Sequence, residues 1–226
     1  MKKMTMILAV GLIFIIAGAV QAQMKMEFGL KGAVNMSNVT GDVENNKMLL
    51  GFGGGIFARM MPSPQITIQP EVLYMMKGAK FDDYTNALDM DITDAKMEFS
   101  YVEVPILVKY NIPTEGKIAP SLFAGPAVGF LMSAKKKGAE DGVDYDCDVK
   151  DYMKSIDFGV AVGGGIDVAM GEKGKLTFDA RYTLGLSNIN DVAEADVADF
   201  GYGTDASLKN ANISVMVGYA FPIGGE

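Results

Sequence analysis

Residues 155–170 read SIDFGVAVGGGIDVAM, a stretch in which a bulky apolar side chain occupies nearly every second position. Because side chains alternate between the two faces of a β-strand, these apolar residues share one face. They are Ile156, Phe158, Val160, Val162, Ile166, Val168 and Met170. The opposite face carries Ser155, Asp157, Gly159, Ala161, Gly163, Gly165 and Asp167. The stretch therefore predicts a strand with one oily face and one face of small and acidic residues.

The same alternation occurs in eight segments after residue 24. They lie at about 25–37, 49–60, 65–77, 101–112, 117–132, 155–170, 175–187 and 210–221. Short connections near 61–64, 113–116 and 171–174 alternate with long ones at about 39–48, 78–95, 133–152 and 189–208. Transmembrane barrels have short periplasmic turns and longer extracellular loops. The sequence therefore predicts an all-β fold: an eight-stranded antiparallel up-and-down transmembrane β-barrel with four long extracellular loops and three short periplasmic turns.

The choice between a membrane barrel and a soluble one depends on the less apolar face. A soluble barrel or sandwich shows the same alternation with its apolar face inward. A water-facing exterior would carry charged residues and threonine along most of its length, whereas this face is crowded with glycine. Its glycines include Gly51, Gly53, Gly55, Gly125, Gly129, Gly159, Gly163 and Gly165. Eight strands enclose a lumen just wide enough for side chains, so the small residues are expected inside. A soluble periplasmic binder of lipocalin type remains the alternative.

The first 22 residues have the features of a cleaved secretory signal. Lys2 and Lys3 precede a short apolar run, and Val20-Gln21-Ala22 forms the small-x-small site that signal peptidase requires. Cleavage between Ala22 and Gln23 would leave residues 23–226 as the barrel domain. An uncleaved membrane-anchoring helix is the alternative, but the apolar run is short for a span. Export through this signal predicts location in the outer membrane of a Gram-negative bacterium.

The composition argues against several classes of function. The chain has a net charge of −8, or −10 after loss of the two signal lysines, so nucleic-acid binding is not expected. It has no histidine, which removes the usual general base and the commonest metal ligand. We therefore predict no catalytic residues, no enzyme activity, no bound metal and no cofactor. Cys147 is the only cysteine, so no internal disulfide can form.

The four long connections carry most of the negative charge. They contain 18 acidic and six basic residues, a net charge of −12. Asp144, Asp146 and Asp148 resemble the start of a calcium loop. However, Val149 stands where such a loop needs glycine, and Ser155 where it needs glutamate. A solvated acidic loop is the simpler interpretation, and weak attraction of divalent cations stays a hypothesis.

Charged residues also occur on the predicted interior face. They are Arg59, Glu71, Glu103, Lys109, Asp157, Asp179 and Arg181. An unpaired charge in a narrow lumen is costly, so these mixed signs predict pairing and a plugged interior. The alternatives are a gated ion path through rearranging salt bridges and a carboxylate pair acting as acid and base.

Several motifs together resemble the PorT-like porin family, the outer membrane β-barrel domain of Bacteroidetes-type bacteria. They are GLKGAVNMS at 29–37, YVEVPILVKY at 101–110, Gly125-Pro126, Asp157-Phe158-Gly159, Gly163–Gly165, Arg181-Tyr182 with Gly185-Leu186, and GYAF at 218–221. The resemblance covers nearly all of residues 23–226, and the stretch at 101–110 is its most specific part. It implies an outer membrane location more than an activity, although some members assist secretion or nutrient uptake. Members commonly end on an aromatic residue that the assembly machinery reads, whereas here PIGGE follows Phe221.

The functional prediction is a non-enzymatic outer membrane protein with a structural or binding role through its acidic extracellular loops. Its expected partners are the lipid bilayer, the barrel assembly machinery during biogenesis and an extracellular ligand of unknown identity. The chain is expected to be a monomer. A narrow porin-like channel, or an accessory protein in transport or secretion, is the alternative.

Overall fold

The computed structural model describes residues 25–43, 46–85, 90–193 and 204–223, and these form ten strands. The strands are Lys25–Gly41 (β1), Asn46–Met61 (β2), Ile66–Phe81 (β3), Tyr84–Thr85 (β4), Asp91–Asn111 (β5), Ile118–Glu140 (β6), Val143–Asp148 (β7), Ile156–Ala169 (β8), Lys175–Gly185 (β9) and Leu208–Ile223 (β10). Two short 3-10 turns complete the regular structure, at Lys150–Tyr152 and Gly171–Lys173. Within the described ranges, no helix has the length and apolarity needed to span a membrane.

Eight of the ten strands close into a barrel. Each pairs antiparallel with two neighbours in the ring order β1, β2, β3, β5, β6, β8, β9, β10 and back to β1. Ala33 in β1, for example, lies opposite Gly53 of β2 and Met216 of β10. The ring therefore leaves no unpaired edge in the barrel wall, which matters because hydrocarbon offers backbone groups no hydrogen-bond partner.

The two ends of the barrel differ. At the short-turn end lie the connections 62–65, 112–117 and 170–174, together with the start of β1 and the end of β10. At the long-loop end lie the described parts of the connections between the other wall strands, residues 42–43, 82–85, 90, 141–155, 186–193 and 204–207. These ends correspond to the short and long connections predicted from the sequence.

The long connections predicted at 78–95 and 133–152 contain further strand structure. β3, β5 and β6 run beyond the barrel wall, the short strand β4 pairs with β5, and the short strand β7 pairs with β6. We call β4, β7, residues 91–98 of β5 and residues 133–140 of β6 the extension sheet. Between β6 and β7, Asp141 and Gly142 have φ angles of 49° and 79°, which suit a two-residue hairpin turn. Lys135 and Lys137 lie opposite Asp148 and Asp146, so the charges that suggested a solvated loop pair across strands.

The outer wall of the barrel is apolar. In β10 the outward side chains from Ala211 to Phe221 carry no charge, and Val215 is 60% exposed. Ten residue steps of about 3.3 Å at a tilt of about 40° cover about 25 Å along the axis, the height of the apolar band in outer membrane barrels. Outward positions of the other described barrel strands are likewise uncharged until the level of Lys80, Glu98 and Lys209 near the long-loop end.

The interior holds large apolar side chains in addition to the small residues predicted there. The large ones that are fully buried include Phe57, Leu73, Met75, Phe99, Leu107 and Met216. Glycines on neighbouring strands leave the room they need. A Cβ at Gly53 would overlap the sulfur of Met75, and one at Gly163 would lie 2.6 Å from Cζ of Phe123. The small residues therefore accommodate bulky side chains of the neighbouring strands and do not line an open pore.

Candidate functional site

A five-residue ion network crosses the middle of the lumen. Nζ of Lys31 lies 2.9 Å from Oε1 of Glu71 and 2.8 Å from Oδ2 of Asp179. Nη2 of Arg181 donates to Oε1 of the same glutamate at 2.9 Å, Nη1 of Arg181 lies 2.9 Å from its Oε2, and Lys109 lies 3.3 Å from Asp179. All five side chains are at most 2% exposed. Because they come from β1, β3, β5 and β9, the network ties distant parts of the wall together.

A second ion cluster lies nearer the short-turn end, centred on Arg59. Its guanidinium donates to both carboxylate oxygens of Asp167, at 2.9 and 3.1 Å, and to Gln69 at 2.7 Å. Glu27 accepts from the same guanidinium at 3.3 Å and lies 2.6 Å from Lys175. Two bases thus face two acids, and the cluster is electrically balanced. Bidentate pairing of this kind fixes the arginine geometrically as well as electrostatically.

Nearer the long-loop end the lumenal acids have different partners. Lys77 and Glu103 form a buried ion pair. Asp157 is 6% exposed and accepts hydrogen bonds from Asn210 and from Ser187, each at 2.8 Å. This level of the lumen thus combines an ion pair with a carboxylate held by neutral donors.

Aromatic rings pack against the lumenal cations. Phe57 lies under both Lys31 and Arg59, at 4.8 and 5.0 Å from its ring centre. Phe123 contacts Lys109 and Arg181 in the same way, at 5.3 and 5.5 Å. Such cation–π contacts are attractive and occupy space that an open pore would leave to water.

An apolar plug closes the long-loop end. Val149 and Met153 follow β7, Ile189 and Val192 follow β9, and all four are buried inside the mouth of the barrel. They pack with wall residues of this end: Val39, Ala79, Met97, Phe99, Tyr101, Leu131, Ala134 and Leu208. Backbone hydrogen bonds fix the plug, since Lys154 donates to Ile189 and Asp191 donates to Tyr152. The described part of the mouth is therefore filled by side chains.

The seven predicted lumenal residues are all buried in the barrel at three levels, and Gln69 links two of these levels because it accepts from Arg59 and donates to Glu71. Glu71, Lys109, Asp179 and Arg181 meet in the central network, Arg59 lies below it, and Glu103 and Asp157 lie above it. The sequence analysis did not include four of their ion-pair partners among the lumenal charges, although the alternation puts all four on interior faces. These partners are Glu27, Lys31, Lys77 and Asp167. Runs of consecutive apolar residues, such as Ile106-Leu107-Val108, could have indicated the buried apolar layers.

The remaining site predictions concern the signal cleavage position and metal binding. The cleavage position between Ala22 and Gln23 lies outside the described residues. Asp144, Asp146 and Asp148 lie along strand β7, so they do not form the compact loop that the calcium motif requires. Among the described residues, no three acidic, histidine or cysteine side chains converge as a metal site would need. The lumenal carboxylates hold amines, guanidinium groups and amides in fixed positions, an arrangement suited to rigidity.

A comparison with known protein families identifies the family of this chain. Residues 21–191 match the model of the outer membrane protein beta-barrel domain, and the match covers most of the sequence. The chain therefore belongs to this family and is an outer membrane β-barrel protein that sits in the lipid bilayer. No curated protein sequence matches the chain.

Solved structures give distant likenesses. Neisserial surface protein A is 14% identical with a TM-score of 0.47, covering 88% of this chain and 99% of its own. OprG from Pseudomonas aeruginosa is 14% identical with a TM-score of 0.48, covering 90% and 97%. Ail, the attachment invasion locus protein of Yersinia pestis, is 13% identical with a TM-score of 0.38, covering 88% and 100%. The family assignment does not depend on these likenesses.

Proposed function

We propose that this protein is a non-enzymatic outer membrane barrel with a closed lumen, whose long-loop end faces outside the cell and acts as a structural or binding surface. The observation that carries the proposal is the central network of Lys31, Glu71, Asp179, Lys109 and Arg181, which crosses the lumen without an exposed member. Moving an ion through it would require breaking buried ion pairs, each of which costs several kcal/mol, about 3–5, to disrupt by loss of one partner.

The acidic balance of the long connections supports the choice of that end as the working surface. Their net charge is −12, whereas the rest of residues 23–226 carries +2. Net charge of one sign on a surface steers oppositely charged partners. We also propose that residues 1–22 are a cleaved signal and that the barrel assembly machinery inserts the protein in the outer membrane. The protein is then a PorT-like member of its family and works as a monomer. Two sets of observations, the buried polar network and the plug, favour this over a transport role.

Recording in planar bilayers tests the closed lumen. We expect purified protein, inserted beside a general porin as a positive control for the assay, to show no reproducible unitary currents, because side chains fill the lumen at every charged level. Reproducible currents that Arg181→Gln abolishes would contradict the proposal and favour the narrow channel. Recovery of the protein from cells without detergent would contradict the membrane location and favour a soluble binder.

A further inference from the structure

Strand β7 is a free edge in the extension sheet. It pairs with β6 through six residues, from Val143 opposite Glu140 to Asp148 opposite Lys135. On its other side no described strand pairs with it, and it ends the strand order of the sheet. Its side chains are mostly exposed, with Val143 at 71%. An unpaired edge is a template for a further strand.

The hairpin geometry shows which backbone groups of β7 point outward. A two-residue turn makes its flanking residues, Glu140 and Val143, a hydrogen-bonded pair, and hydrogen-bonded pairs then recur at every second residue. The pattern predicts that Val149 bonds to Ala134, and its amide indeed donates to that carbonyl at 2.9 Å. Residues 143, 145 and 147 therefore bond to β6. Consequently, the N–H and C=O groups of Asp144, Asp146 and Asp148 point to the free side.

The same three residues put carboxylates along one face of the edge. Behind them, Asp146 lies 3.0 Å from Lys135, and Lys137 lies 2.7 Å from Glu98. Lys137 also lies 3.8 Å from Asp146, and its hydrogen bond to Glu98 raises the pKa of its amine, so this lysine stays charged. Within the described part of the chain Asp144 has no ion pair, and Asp148 accepts from the amide of Lys150 at 2.9 Å. The row of acids thus faces outward at two-residue spacing.

Charge decides between the possible occupants of this edge. A second copy of β7, antiparallel and in register, would set Asp146 against Asp146 and Asp144 against Asp148. Like charges directly opposite one another destabilise a strand pair. A strand with lysine or arginine at every second position would instead place a cation opposite each aspartate.

We propose that β7 binds an extended basic peptide segment by strand addition, with cationic side chains at alternate positions facing Asp144, Asp146 and Asp148. Main-chain hydrogen bonds from the three aspartate residues hold the segment, and the opposed charges select it. The inference rests on the proposed function, because the partner meets this edge only if the long-loop end faces outside the cell. The partner of the long-loop surface is then an extended basic peptide segment.

Fluorescence anisotropy with two isomeric peptides tests the binding. The purified protein in detergent is titrated with labelled acetyl-KVKVKV-amide and with acetyl-KKKVVV-amide, which has the same composition and charge. We expect the alternating peptide to bind about tenfold more tightly, because its cations and its valines fall on opposite faces of a strand as an added strand requires. Equal affinities would mean unspecific charge attraction and would overturn the proposal.

Two substitutions at Asp146 separate the contribution of the backbone hydrogen bond to peptide binding from the contribution of the charge. Asp146→Pro removes an outward N–H while leaving every β6–β7 hydrogen bond in place, and we expect about tenfold weaker binding of the alternating peptide. Asp146→Asn keeps that N–H and removes the charge, for an expected loss of about threefold. Heat-modifiable migration on a gel checks that both variants are folded. Unchanged affinity in folded Asp146→Pro would overturn strand addition.

The single cysteine supplies a second readout. Cys147 is exposed and its side chain lies on the face opposite the aspartates. Peptides are activated as mixed disulfides with thionitrobenzoate, so the thiolate of Cys147 attacks the peptide sulfur and releases thionitrobenzoate. We expect this exchange to be far faster for peptides with the activated cysteine at a valine position than for peptides with it at a lysine position. Equal rates at both positions would overturn the pairing. Labelling of Cys147 in intact cells by an impermeant maleimide tests orientation separately: labelling only after permeabilisation would contradict the proposed function while leaving the peptide result unaffected.

Discussion

Glu71→Gln is expected to lower the free energy of unfolding by about 3–5 kcal/mol. Oε1 of Glu71 is the shared acceptor for Lys31 and Arg181, Oε2 forms a further ion pair with Arg181, and these groups are buried. The neutral amide leaves two cations in the central network with less compensation than burial demands. Their side chains are at most 2% exposed, so bulk water does not reach them to replace the lost carboxylate, and the cost is that of uncompensated buried charge. Urea unfolding in detergent or lipid vesicles, followed by gel migration without heating, measures the change.

Glu98→Gln is the matched control for this substitution. Glu98 is on the outside of β5, where it pairs with Lys137 and Lys96 in the extension sheet. Exposed pairs contribute little, so the same chemical change there is expected to cost less than about 1 kcal/mol. A double variant, Glu71→Gln with Arg181→Gln, should recover part of the loss because it removes one of the stranded cations. Similar small effects at Glu71 and Glu98 would contradict the buried network.

Val215→Arg is expected to destabilise the inserted barrel by about 2–4 kcal/mol. Val215 is near the middle of the uncharged outer stretch of β10 and is 60% exposed. In a bilayer that exposed surface contacts acyl chains, and a charge at this depth is poorly solvated. Reversible unfolding from lipid vesicles in urea gives the difference from the unsubstituted protein.

Val143→Arg makes the same replacement outside the apolar band. Val143 is 71% exposed on β7, beyond the barrel wall, so its arginine reaches water. The expected change is within about 0.5 kcal/mol, as for most surface substitutions. Equal costs at Val143 and Val215 would show that the outer wall does not lie in hydrocarbon.

Strand periodicity was the part of the fold that the sequence predicted well. The eight segments match the eight strands of the barrel wall because a transmembrane strand exposes one face to lipid and one to the lumen, and the alternation of residues 155–170 reflects both environments at once. Glycine on the lumenal face, as at Gly163, indicated the narrow interior for the same reason. Strand ends were less clear, since β6 continues to Glu140 through three lysines that no apolar alternation marks.

The sequence did not predict which charged side chains pair with one another in the lumen. Alternation placed Lys31, Glu71 and Asp179 on interior faces, but β1, β3 and β9 lie at different positions around the ring, and only register and closure bring their side chains to one level. The apolar layers escaped prediction because Phe57 and Leu107 interrupt the alternation. The plug of Val149, Met153, Ile189 and Val192 comes from connections whose path periodicity does not determine.

Spin-label accessibility in lipid vesicles tests the central claim, that the bulky apolar face of the barrel contacts acyl chains. In a Cys147→Ser background, single nitroxide labels replace Leu122, Val162 and Val215, which are 60%, 44% and 60% exposed around the wall. Oxygen concentrates in hydrocarbon, so we expect the labels at all three positions to collide far more often with oxygen than with a water-soluble nickel chelate. A label at Val143 should show the reverse. Nickel accessibility at Leu122, Val162 and Val215 equal to that at Val143 would contradict the membrane barrel.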